Sequence, residues 1–223
     1  MNEETPPLHS SRAHSKEKLL FHRFQKTERL LHWFHAVPFI LLLLTGFFLA
    51  LEGLLGAQRN IFTSDLHKIL GVMLIAAAPL VSYIGNTTLI RKNLKMILNI
   101  DKRDIEWIKA QPKHLHVPAG KFNMGQKINS ILMMFFSLSL QATGIWLWLA
   151  PQGLLPRWGH TALALGSAFL LAGHIFMATI NPSTRKAFKG IINGYVPISY
   201  IEEHHSRQLD PDQGVEQVSP YEE

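Results

Sequence analysis

The sequence predicts an all-α integral membrane protein: four spanning helices in a bundle, with the N and C termini cytoplasmic. Two observations carry this. Residues 30–51, 66–84, 128–150 and 160–180 are apolar and nearly free of charge, and each is close to the ~20 residues a helix needs to cross ~30 Å of hydrocarbon. The Lys and Arg residues, 22 in all, lie almost entirely on one side of those runs. The mean hydropathy of only +0.09 conceals the pattern, because polar ends and a long middle loop offset the apolar runs.

The elements follow in chain order. Residues 1–20 read as a polar, disordered leader. Residues 21–200 form the four-span domain, and residues 201–223 a polar cytoplasmic tail containing His204 and His205. No cleavable signal peptide is expected, since the first apolar run begins near Leu30 and is too long for a signal core. Arg12, Lys16, Lys18, Arg23, Lys26 and Arg29 precede the first span, and nine basic residues from Arg91 to Lys127 separate spans two and three. Arg185, Lys186, Lys189 and Arg207 follow span four, whereas the other two connections hold only Arg59, Lys68 and Arg157. This bias places the central loop with both termini in the cytoplasm, in what would be a bacterial inner membrane. The net charge of +6 is thereby explained by lipid, and no nucleic-acid partner is expected. In the central loop, apolar Leu94, Ile97, Leu98, Ile105 and Ile108 alternate with basic residues over residues 89–108. That suits either one interfacial helix or an irregular loop. Gln141, in the middle of span three, is expected to hydrogen-bond between helices.

The chain has no cysteine. Thiolate metal sites, disulfides and C-x-x-C-H haem attachment are excluded, which leaves the 12 His as the main ligand supply. Ionisable side chains within spans mark function by default, and five His lie there: His32, His35, His67, His160 and His174. On alternating spans, His67 and His160 fall near the external face, and His32 and His174 near the cytoplasmic face. His160 and His174 are fourteen residues apart, about 21 Å of rise, and return to within ~40° of one helix face. One helix can therefore give a ligand to each of two cofactors stacked across the bilayer. Haem accepts imidazole on both axial faces, whereas zinc wants three or four ligands at one height. His35 is an alternative to His32, disfavoured because it lies deeper than the His174 level.

Several stretches resemble the cytochrome b (gamma) subunit of membrane-bound formate dehydrogenase. They are Arg29-Leu-Leu-His32-Trp33 with Thr45-Gly46, Leu66-His67-Lys-Ile-Leu-Gly71, and Gly120-Lys-Phe-Asn123-Met-Gly125-Gln126-Lys127. The fourteen-residue His160–His174 spacing, Lys189-Gly190-Ile-Ile-Asn-Gly194-Tyr-Val196 and His204-His205 complete the likeness, which covers roughly residues 21–207. The resemblance implies two haem b groups, with His67 and His160 as iron ligands of the external one and His32, rather than His35, with His174 as ligands of the inner one. It implies a quinone site, for menaquinone or ubiquinone, at Asn123, Gly125 and Gln126, and partners in an iron–sulfur subunit and a catalytic subunit. Substrate oxidation would then lie on the partner, with no catalytic residue on this chain. Lys121, Lys127 and Arg29 could pair with haem propionates or snorkel to the interface. Cytochrome b subunits of thiosulfate-reductase or hydrogenase type share the fold, and a haem-free anchor or transporter is the rival of another class.

Overall fold

The computed structural model describes residues 19–113, 115 and 117–209. The expected disordered leader, up to residue 18, and the tail beyond residue 209 lie outside the described residues. The described residues fall into two compact units, one of residues 27–98 and 127–176, the other drawn from residues 19–26, 99–126 and 177–209.

The first unit carries the long helices α1 (Lys26–Leu54) and α2 (Ile61–Ile84), the shorter α3 (Thr87–Leu98), and most of α5 (Met124–Leu149) and α6 (Leu154–Ile175). A π-helical turn, Phe176–Ile180, continues α6, and with it four helices among the described residues are long and apolar enough to cross a membrane. Each span starts or ends up to about two turns away from its apolar run. The backbone ladder continues through polar residues until a cap stops it, whereas hydropathy marks only the hydrocarbon core. Asn60 is such a cap, its side chain accepting from the Thr63 N–H at 3.1 Å.

Only 6–22% of each span's most apolar window is buried within the chain. Phe47 and Phe169 are 62% and 81% exposed, as befits side chains whose solvent is lipid. The inward faces bury Phe39, Leu74, Ala77, Val81, Ser137 and Ser167. Close approach is local: a Cβ on Gly166 would stand 2.9 Å from Phe136, and one on Gly85 would stand 2.7 Å from Thr27. The Thr27 hydroxyl accepts from the Asn86 N–H at 3.0 Å, so the start of α1 meets the end of α2. Gln141 departs from expectation: its amide donates to Ser137 on its own helix at 3.0 Å. Two residues four apart on one face satisfy each other without a second helix.

The basic stretch at residues 89–108 forms two helices rather than one, α3 and then α4 (Lys102–Ala110). The break falls where Asp101 caps α4, reciprocating with Asp104 in a capping box that fixes a new start. Leu94 and Leu98 on α3, and Ile105 and Ile108 on α4, are exposed, as side chains at a headgroup–acyl boundary would be.

The second unit contains β1 (Leu20–His22), paired antiparallel with β2 (Tyr195–Pro197), together with α4, α7 (Phe188–Asn193) and α8 (Ile198–His204). Phe21, Val196, Tyr200 and Ile201 form its core. Gly194 ends α7 at φ +98°, and a Cβ there would lie 2.9 Å from the Phe24 carbonyl oxygen. Only glycine suits both demands. The segment expected as a tail from residue 201 instead packs inward, because Ile201 and His205 are fully buried. Arg23 donates to the Lys121 carbonyl at 3.1 Å and to His205 Nε2 at 2.9 Å, while His205 Nδ1 donates to the Gly120 carbonyl at 2.7 Å.

Candidate functional site: paired histidines

Within the helical unit, His67 of α2 and His160 of α6 face each other with ring centroids 6.3 Å apart. Farther along α6, His174 faces His32 of α1 at 6.4 Å. A metal–imidazole bond is about 2.0 Å, and the ring nitrogen lies roughly 1.2 Å from its centroid, so two imidazoles sharing one metal ion stand about 6.4 Å apart. Both pairs are therefore already spaced for an iron between them. Among the described residues no cluster of three or more His, Asp or Glu is arranged to hold a metal ion. Each level offers two protein ligands, the number required by an iron whose other four positions are filled by a macrocycle.

The hydrogen bonds behind the rings suit that role. Thr45 of α1 and Thr143 of α5 place their hydroxyls 2.8 Å from Nδ1 of His67 and His160 respectively. Asn129 of α5 puts its side-chain amide 3.1 Å from Nδ1 of His174. A proton held on Nδ1 leaves the Nε2 lone pair free for a metal, the usual orientation of a ligating histidine. His32 Nδ1 is buried and has no hydrogen-bond partner among the described residues. Gly46 and Gly144 come close to the rings: a Cβ on either would lie 3.2 Å or 3.4 Å from the Cε1 of His67 or His160. His35 instead stacks on Phe39 of its own helix, centroids 5.6 Å apart and planes 18° apart.

The expected quinone residues open α5. The Asn123 N–H donates to Gln126 Oε1 at 3.0 Å, and the Gln126 N–H donates to Asn123 Oδ1 at 2.9 Å. This reciprocal cap occupies both side-chain oxygens at the helix start. The two NH2 groups remain as donors. Gly125 sits against Trp107 of α4, where a Cβ would be 3.4 Å from the indole. Lys121 Nζ lies 5.7 Å and 5.8 Å from the ring centroids of Phe24 and Phe122, a cation–π arrangement.

Sequence reasoning did not find Thr143-Gly144 or Asn129. The recurrence of the Thr-Gly pair of α1 in α5 was the available signal.

Four membrane-crossing helices with inward-facing imidazole pairs define a membrane helical bundle of the cofactor-binding class. The profile of the family described as prokaryotic cytochrome b561 matches residues 23–194, and the chain belongs to that family. It is a membrane cytochrome b, a haem-b-binding electron-transfer protein. No curated protein matches the chain.

Proposed function

We propose that this chain is the membrane anchor and electron-transfer subunit of a respiratory oxidoreductase of formate dehydrogenase type, carrying two haem b groups. The observation that carries the reading is the pair of histidine pairs, each at iron-bridging separation and fourteen residues apart along α6. Haem b held by two imidazoles supplies reversible one-electron transfer with no open iron position for oxygen or substrate. His67 and His160 hold the external iron, and His32 and His174 the inner one. Phe39, Leu74 and Ala77, buried along α1 and α2, keep water out of the helix interior.

The basic residues support an inner-membrane orientation with both termini and the central loop cytoplasmic. An iron–sulfur subunit then delivers electrons at the external face from a separate catalytic subunit, and the chain conducts them to menaquinone or ubiquinone at the cytoplasmic face. External delivery with cytoplasmic proton uptake makes the transfer electrogenic. The formate assignment rests on the motifs around His32, His67 and residues 120–127. The rival reading is the same bundle in a thiosulfate-reductase- or hydrogenase-type complex, and co-purification from native membranes separates these by naming the partner.

A pyridine haemochrome assay on the purified chain tests the reading. Two b haems per chain are expected, and one or none overturns it.

For the quinone, Asn123 and Gln126 keep amide donors beyond those used in capping, and Asn123 opens onto a small cleft with Arg103, Trp107 and Arg207. Losing a partner to a buried carbonyl costs ~1–3 kcal/mol, about tenfold or more in affinity. Asn123→Asp and Gln126→Glu keep the capping oxygens and remove the NH2 donors. Both variants are expected to slow haem reoxidation by quinone about tenfold while leaving the haem spectra unchanged. Wild-type reoxidation in both, at full haem loading, would refute the site.

A further inference from the structure

The two histidine levels are supported differently. At the His67–His160 level, both rings meet a threonine followed by glycine: Thr45-Gly46 on α1 and Thr143-Gly144 on α5, each hydroxyl 2.8 Å from Nδ1. A hydroxyl has one proton. Thr45 donates its proton to the Leu41 carbonyl at 2.8 Å, and Thr143 donates to the Ser139 carbonyl at 2.8 Å. Each hydroxyl is thus left as an acceptor toward its histidine, which must carry the proton on Nδ1. Gly46 and Gly144 leave room at Cε1 for the ring to sit at that distance.

At the other level the support is halved. His174 has Asn129, whose amide oxygen accepts from Nδ1–H once the amide is turned over from its orientation in the structure. His32 has no partner at Nδ1 among the described residues.

We infer that Thr45 and Thr143 are positioning residues that lock His67 and His160 in the Nδ1–H tautomer and make their site the lower-potential of the two. The inference rests on the two-haem reading above. An acceptor on Nδ1–H raises the basicity of the ligating nitrogen, and a more basic ligand favours the oxidised, more positive iron. With two such acceptors at one level and one at the other, electrons run downhill from the His67–His160 level to the His32–His174 level. That direction suits delivery from the external face to quinone on the other side.

The test is redox titration of the purified, haem-loaded full chain, followed by the optical spectrum, with haem retention measured against a competing apo-haem-protein. Thr45→Val and Thr143→Val keep the shape and remove the acceptor. Thr45→Ser and Thr143→Ser keep the acceptor. Each valine variant is expected to raise the midpoint potential of the lower-potential haem and weaken its retention about 10- to 100-fold, without moving the other haem. Serine is expected to restore both properties. Asn129→Leu is expected to move only the higher-potential haem. His67→Ala, which keeps only the inner haem, assigns the potentials.

Unchanged potentials in the valine variants, or serine behaving as valine, overturns the inference. So does a shift in the haem that survives His67→Ala. The two threonines act on separate rings, so either valine variant suffices if the other fails to fold. A wild-type chain holding fewer than two haems would instead sink the underlying reading, before any threonine is changed.

Discussion

On the two-haem reading proposed above, alanine at His67 or at His160 is expected to remove the external haem and leave the inner one, so that the variant would carry one haem per chain and the wild type two. The geometry makes this close to all-or-none. Each iron would be held by one imidazole from each of two helices, whose ring centroids stand 6.3 Å and 6.4 Å apart. Losing one imidazole would therefore leave one protein ligand and a gap the size of the lost ring. Alanine at His32 or His174 is expected to remove the inner haem by the same argument. His35→Ala is expected to retain both, because His35 is engaged in a stack with Phe39. Haem stoichiometry and the reduced-minus-oxidised spectrum read all five variants. Loss of the inner haem in His35→Ala with retention in His32→Ala would show that the ligand sits one turn farther along α1.

His205→Ala is expected to destabilise the second unit by about 2–4 kcal/mol, from two lost hydrogen bonds, one buried and one part-buried, and the space left by the ring. His205 is fully buried and joins Arg23 to the Gly120 carbonyl. Burial first, and then the Arg23 guanidinium, pushes its imidazole down to about 3. The neutral ring accepts from Arg23 at Nε2 and donates from Nδ1, an arrangement that protonation would break. Because the folded pKa is below the unfolded value of about 6.5, the unfolded chain binds the proton first as pH falls. The contribution is therefore complete above about pH 6.5 and is lost progressively toward about pH 3, reaching of order 2 kcal/mol at pH 5. Amide protection factors over residues 195–209, taken against the intrinsic exchange rate at each pH, should fall from pH 7 to pH 5 in the wild type. His205→Ala should show low protection at both values. A wild-type protection factor that does not fall between pH 7 and pH 5 would refute the assignment.

The sequence by itself determined the four spans, since ~20 apolar residues have one stable home in a bilayer. It also determined which histidines could share a level, because helical rise and alternating direction set height without any knowledge of packing. Helix ends were less legible. Asn60 and the Asp101–Asp104 box stop or start helices by local hydrogen bonds that average hydropathy does not register. The break between α3 and α4 was hidden for that reason. The turn of residues 201–209 into the protein was hidden by composition: His205 is polar, and only partners 182 and 85 residues away make its burial tolerable.

Tertiary structure alone decided what stands behind each histidine. Thr45, Thr143 and Asn129 reach Nδ1 only if α1 and α5 are rotated to present those side chains to α2 and α6. Sequence spacing fixes where a residue lies along its own helix. The rotation of one helix against another is set by the packing of both, and the hydrogen bond that orients each imidazole follows from that rotation.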